Sequence, residues 1–291
     1  PPNHRLRPMT VTLSAIRIYP VKSGRGIDLS EWEVDAFGLR WDRRFMVVDA
    51  EGEFITQRTE PILATLQAEV TTIADDSPIL RLAANHQPTI DVPLTGPGTT
   101  RRSVQVWRSS PDVVDLGEAA ATWVTRLLDR PARLVFMDRV GARLANPEYA
   151  PDGTPVGFAD GYPFLIATEE SLVDLNRRLD APVPMDRFRP NLVLRGASPF
   201  EEDTWRRLRI GDLVLDIVKP CARCAVITVD QEEGRSRGKE PLRTLATFRT
   251  EARGVIFGQN AVHGGPANVR IGDPVEVLAR RDPGEGSAPR I

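Results

Sequence analysis

Glu31-Trp32-Glu33-Val34-Asp35-Ala36 alternates polar and apolar residues with a period of two, the pattern of a half-buried β-strand. Phe45-Met46-Val47-Val48-Asp49 follows as a short apolar run. Ala50-Glu51-Gly52-Glu53 then leads into Phe54-Ile55-Thr56, which predicts a hairpin turning at Gly52. Outward from this stretch, strands are expected at 12–18, 64–73, 79–82, 89–92, 103–107 and 133–136, separated by Gly, Pro, Asn and Asp. One helix is expected over 118–128, with Ala120, Val124, Leu127 and Leu128 as its apolar positions. Many short strands with turn signals point to a barrel or a sandwich.

The second half opens with Phe164-Leu165-Ile166-Ala167. Thr168 follows as an N-cap, with Glu169 and Glu170 in the first turn, where the helix dipole favours negative charge. Leu172, Leu175 and Leu179 form the apolar stripe of that helix. Strands are expected at 191–194, 208–210, 213–218, 225–229, 255–257, 268–271 and 274–278, and a short helix over 241–248 with Pro241 at its first position. Between the halves, 141–161 dissolves into Pro, Gly, Asn and Asp and reads as a long functional loop or a domain junction. The division expected is 10–137, 138–280 and a disordered tail over 281–291.

The chain has 291 residues, 41% hydrophobic and 27% charged, as in a globular protein. Its net charge of -2 speaks against nucleic acid as a partner, which needs a basic face. No apolar run reaches the roughly 20 residues of a membrane span, and the polar segment 1–10 lacks the h-region of a signal peptide. Two cysteines at i, i+3 make no disulfide framework, so a reducing, cytoplasmic setting is expected.

Both cysteines lie in Lys219-Pro220-Cys221-Ala222-Arg223-Cys224, each beside a cation that favours the thiolate. Four readings are open. Half of a zinc site lacks its other ligands, since there is no second Cys pair and His4, His86 and His263 are scattered. A thioredoxin-like pair needs a helix after it, whereas Ala225-Val226-Ile227-Thr228-Val229 reads as strand. Two inert buried cysteines are the plain alternative. The fourth reading is one thiolate on a metal whose other ligands belong to an anionic cofactor. Groups able to hold such a cofactor are present. Lys22 and Ser23 sit in a turn before Gly24, Arg43 and Arg44 precede a strand with one of them facing the site, and Arg189 stands near Asn191.

The ordered set Tyr-Pro-Val-Lys-Ser (19–23), Gly-Leu-Arg-Trp-Asp-Arg-Arg-Phe-Met-Val-Val-Asp (38–49), Thr-Gln-Arg (56–58), Phe-Arg-Pro-Asn (188–191), Cys-Ala-Arg-Cys (221–224), Glu-Pro-Leu-Arg-Thr-Leu (240–245) and Phe-Gly-Gln-Asn (257–260) resembles the MOSC proteins with an N-terminal β-barrel domain. That group contains the mitochondrial amidoxime-reducing components and their bacterial relatives. The resemblance implies an α+β, mostly β fold: an N-terminal β-barrel-like domain packed against a C-terminal MOSC β-barrel domain with a few helices. It implies a molybdenum cofactor (Mo-molybdopterin) between them, ligated by Cys224, with Cys221 as the fallback. Lys22, Ser23, Arg43, Thr168, Arg189, Asn191 and Arg223 are the implied cofactor-binding residues. The implied activity is reduction of small N-hydroxylated substrates such as amidoximes, hydroxylamines or N-hydroxylated bases. Electrons would come from a separate ferredoxin, flavoprotein or b-type cytochrome with its reductase. The alternative is a sulfur carrier or cofactor-handling protein that uses a cysteine persulfide.

Overall fold

The computed structural model describes residues 10–72, 77–96 and 98–281. The fold is mostly β, with three α-helices among the described residues, Gly117–Leu128, Glu169–Asn176 and Leu242–Ala246. The expected tail over 281–291 lies outside the described residues except for its first position.

A nine-stranded sheet organises the molecule. Its path runs Ile27–Leu29, Thr12–Ile18, Leu192–Arg195, Phe164–Thr168, Gly254–His263, Leu213–Ala222, Trp205–Ile210 and Val275–Arg280, and Thr250–Glu251 pairs beside Gly254–His263. The two edges approach each other. Leu13 N–H donates to Asp273 O and Val275 N–H to Val11 O, so the sheet curls towards closure around Leu13, Ile16, Phe164, Trp205, Leu208 and Leu215, all fully buried. The first strand thus hydrogen-bonds into the sheet of the second half. In Leu213–Ala222, the inward positions Leu213, Leu215 and Ile217 are buried in strict alternation.

Glu31–Asp35 pairs with Ala267–Arg270 of the second half and sends Val34 into the same core, whereas the rest of the first half from Phe45 onward folds around its own core. Phe45–Val48 pairs with Arg133–Phe136, which continues to Asp112–Asp115 and Thr100–Ser103. Gln67–Thr72, Pro78–Ala84 and Gln87–Pro93 form a meander. Gly117–Leu128 packs Ala120, Trp123 and Val124 onto both, and just ahead of its N-cap, Leu116, the Asp115 carboxylate accepts from Gly117 N–H at 3.0 Å. The turn at Gly52 is present, with Asp49 N–H donating to Glu53 O and a bridge from Val48 to Phe54.

Several expected elements differ. Residues 61–65 form a 3-10 turn and the following strand begins at Gln67, because Pro61 starts a turn that buries Leu63. The strand expected at 103–107 is Thr100–Ser103. The second helix ends at Asn176, so Leu179 packs from beyond it. Pro241 is the residue preceding the Leu242–Ala246 helix. Residues 225–228 form a 3-10 turn, not a strand. Ile227 is buried there against Leu245 and Phe257, and this packing overrides the β-branched local preference.

Candidate active site

One cleft gathers side chains from both halves of the chain. Lys22, Ser23, Arg43, Arg189, Asn191, Cys221, Arg223 and Cys224 all line it. Thr168 does not. Its side chain caps the Glu169–Asn176 helix by accepting from Ser171 N–H, and it bonds buried Glu202 at 3.1 Å. Glu202 has no cation among its hydrogen-bond partners. Burial, helped by the neighbouring Asp203 charge, outweighs the Ser171 and Thr168 hydroxyls and pushes its carboxyl up to about 7.

The cysteines reach the cleft through a distorted strand end. The register of Leu213–Ala222 against Gly254–His263 shifts between Ile217 and Lys219 and again between Pro220 and Ala222, around a proline that has no N–H to give. These bulges re-aim the chain. Arg223 Nη1 donates to Cys221 Sγ at 2.9 Å and Nη2 to Phe188 O at 2.7 Å, while Nε is buried without a partner. Cys224 is exposed, and no hydrogen bond to its sulfur is found among the described residues. Both thiols are free. Among the described residues no cluster of three or more His, Cys, Asp or Glu could hold a metal ion.

Two of the cations and the Ser23 hydroxyl come from strained backbone. Ser23, Arg43 and Arg189 adopt φ of 66°, 47° and 57°, left-handed conformations that non-glycine residues seldom take. Each is held by tertiary bonds. Arg43 Nη1 donates to both oxygens of Asp42 and to Asn191 Oδ1, and Nη2 donates to Arg189 O. Asn191 spends the rest of its amide on Leu165 N–H and Arg17 O, so it acts as a latch behind the cleft wall. Arg44 points away and donates to Met137 O while lying over Phe37, as strand alternation requires. The loop over 141–161 comes against Arg43 because position 157 is glycine: a Cβ there would lie 2.7 Å from Arg43 O.

The electrostatic balance is positive. Lys22 is 6% exposed and donates to Phe158 O and to Asp160 Oδ1 at 2.9 and 2.5 Å. Burial lowers the Lys22 ammonium's pKa, and Asp160 works against that shift. Asp160 itself has its side chain 73% exposed at the rim. Asp42 is raised by burial despite its bonds to Arg43. Arg189 is 7% exposed and has no carboxylate partner among the described residues. Its bond goes to the amide oxygen of Gln231, it lies 4.2 Å over the Tyr19 ring, and burial brings its guanidinium down to about 10. A buried guanidinium with no carboxylate hydrogen-bonded to it among the described residues, an orphaned Arg223 Nε and an open thiol fit an anionic, sulfur-ligated cofactor.

Sequence reasoning assigned no role to Thr56, Arg58, Asp160, Tyr162 and Asn260, which also line the cleft. Thr56, Arg58 and Asn260 belong to motifs already recognised, so those motifs were the available signal. Asp160 and Tyr162 come from or flank the irregular 141–161 segment, where no periodicity marks them. That segment does border the cleft through Phe158, Ala159, Asp160 and Gly161.

The family model for the MOSC N-terminal beta barrel domain matches residues 10–131, and that for the MOSC domain matches 153–276. The chain is 35% identical over 294 residues to the human protein named mitochondrial amidoxime-reducing component 1, covering 95% of this chain and 86% of that one. It is 36% identical to the mouse protein of the same name, over 96% and 86% of the two chains. It is also 31% identical over 268 residues to the rice molybdenum cofactor sulfurase, covering 85% of this chain but 32% of that larger protein.

Proposed function

We propose, from the premise that this chain belongs to the family of MOSC proteins with an N-terminal beta barrel domain that includes the amidoxime-reducing components, that it is a molybdenum-cofactor-dependent oxidoreductase of N-hydroxylated compounds. The observation that carries this reading is the meeting of one open thiol, Cys224, with buried cations from both halves in one cleft.

In this reading Cys224 is the metal ligand. Lys22, Ser23, Arg189 and Arg223 hold the anionic part of the cofactor, with Arg43 and Asn191 fixing the wall behind it. The cofactor, when bound, would supply the redox metal for N–O reduction. The overall change is R=N–OH plus two electrons and two protons to R=NH plus water. The chain's own part is to orient the anion, keep positive charge near it in a partly dry cleft, and leave a mouth beside Tyr162 and Asp160 for a small planar substrate. Electrons are proposed to come from a separate electron-transfer protein: a ferredoxin, a flavoprotein or a b-type cytochrome with its reductase.

No helix among the described residues is long and apolar enough to cross a membrane. Two free thiols fit a reducing compartment. The sequence suggests the cytoplasm, whereas the names of the human and mouse relatives say mitochondrial.

A second reading is a sulfur carrier or cofactor-handling protein. The similarity to the rice sulfurase favours it, as does a second thiol held by Arg223 beside the first. Protein purified from a host that makes the cofactor should contain molybdenum and pterin and should reduce an amidoxime with dithionite. Metal-free, pterin-free protein would overturn the leading reading. Persulfide on Cys221 or Cys224 without N–OH reduction would establish the second.

A further inference from the structure

Gln57 and Gln231 are both buried, and they face each other as a reciprocal amide pair. Gln231 Nε2 donates to Gln57 Oε1 at 3.0 Å and Gln57 Nε2 donates to Gln231 Oε1 at 3.1 Å. The second N–H of each amide is also used, on Ser23 O at 2.8 Å from Gln57 and on Val229 O at 3.1 Å from Gln231. Gln231 Oε1 then accepts a further bond from Arg189 Nη1 at 3.1 Å. Every polar atom of the pair is satisfied, which is the condition for a buried network to hold one geometry. Both ends of the network reach left-handed residues of the cleft, Ser23 and Arg189. One amide comes from the region matched by the N-terminal barrel model and the other from the MOSC region.

We propose that Gln57 and Gln231 are positioning residues that join the two halves beneath the cleft, aim Arg189 and the Ser23 turn at one bound anion, and leave the Arg189 charge unspent because an amide, not a carboxylate, anchors it. The proposal rests on the cofactor reading above. A glutamate at position 231 would accept the same Arg189 bond but neutralise the guanidinium, so it would weaken anion binding, and it would also lose the donor to Gln57 Oε1 and Val229 O. A merely structural role would lower stability and leave anion affinity unchanged.

The test uses the full chain stripped of cofactor and inorganic phosphate as the probe, read by calorimetric titration and by thermal unfolding. Gln231→Glu is expected to unfold at a lower temperature than wild type, because Gln57 Oε1 and Val229 O lose their donor, and to bind phosphate about tenfold more weakly. When purified from a cofactor-producing host it should retain less pterin. Should Gln231→Glu not accumulate folded, Gln57→Met asks the same question from the Ser23 side, where weaker phosphate binding is again expected. Wild type that binds phosphate alongside a variant of unchanged affinity overturns the positioning role alone. Wild type that neither binds phosphate nor carries pterin overturns the cofactor reading, and the positioning role with it.

Discussion

Arg223 donates to Cys221 Sγ at 2.9 Å, and no such bond reaches Cys224 among the described residues. Two thiols three positions apart are therefore unequal: one is tied to a guanidinium and the other is left facing the cleft. Cys224→Ser is expected to fold normally by circular dichroism while molybdenum content and N–OH reduction fall to background. Cys221→Ser is expected to keep its metal and most of its activity. Metal lost from Cys221→Ser and kept by Cys224→Ser would return the ligand role to Cys221.

Arg43, in the wall behind the cleft, also carries a structural charge pair. It is the counter-ion of Asp42, whose carboxylate also accepts from Tyr19 N–H at 2.8 Å in a nearly dry setting. Removing one partner of a buried pair strands the other charge. Arg43→Ala should therefore lose about 3 kcal/mol in urea unfolding. Adding Asp42→Asn should recover part of that loss, and no recovery would mean the pair is not the source of the cost.

Glu202 sets a pH dependence of stability. Its folded value near 7 lies above the ordinary 4.5, so between those limits the folded chain holds a proton that the unfolded chain releases. Its contribution is complete below about pH 4.5 and is lost as pH rises to about 7, a change on the order of 3 kcal/mol. Glu202→Gln should flatten the fall expected between pH 5 and 7.5 in urea unfolding. A wild-type-like slope in the variant would exclude Glu202 as its origin.

Thr168→Ala removes a helix cap and a hydroxyl partner of Glu202 and touches nothing in the cleft. It should cost about 1 kcal/mol of stability and leave pterin content unchanged. Loss of pterin at unchanged stability would restore a cofactor role to this residue.

Asp160 competes with any anion for Lys22, but its exposed carboxylate makes the pair a weak one. Asp160→Asn should tighten phosphate binding by about threefold, as measured by titration calorimetry. Unchanged affinity would mean that Lys22 does not reach the anion.

Much of the architecture was legible because local pattern and tertiary demand agree. Strand 133–136 and the helix near 118–128 appear where alternation and apolar spacing put them. Cys224, Arg43 and Arg189 were readable as chemistry: thiolate and guanidinium types stand out beside turns. Thr168 was readable too, but a capping hydroxyl and a ligand hydroxyl look alike in a sequence, and the structure gives this one to the helix. The 225–228 turn was not legible, because its conformation is set by where Ile227 packs. Nor was the Gln57–Gln231 contact, whose partners are 174 positions apart and carry no periodicity.

The strand Thr12–Ile18 is flanked by Ile27–Leu29, which is made at once, and by Leu192–Arg195, which is not. Ser14 Oγ meets Val193 O across 179 positions. At ribosomal speeds of about 5–20 residues per second, that edge waits roughly 10 to 40 s for its neighbour. During that interval a newborn chain presents an unpaired apolar ribbon to the cell. Conditions that slow elongation between those two points should raise aggregation of the nascent protein without altering the finished one.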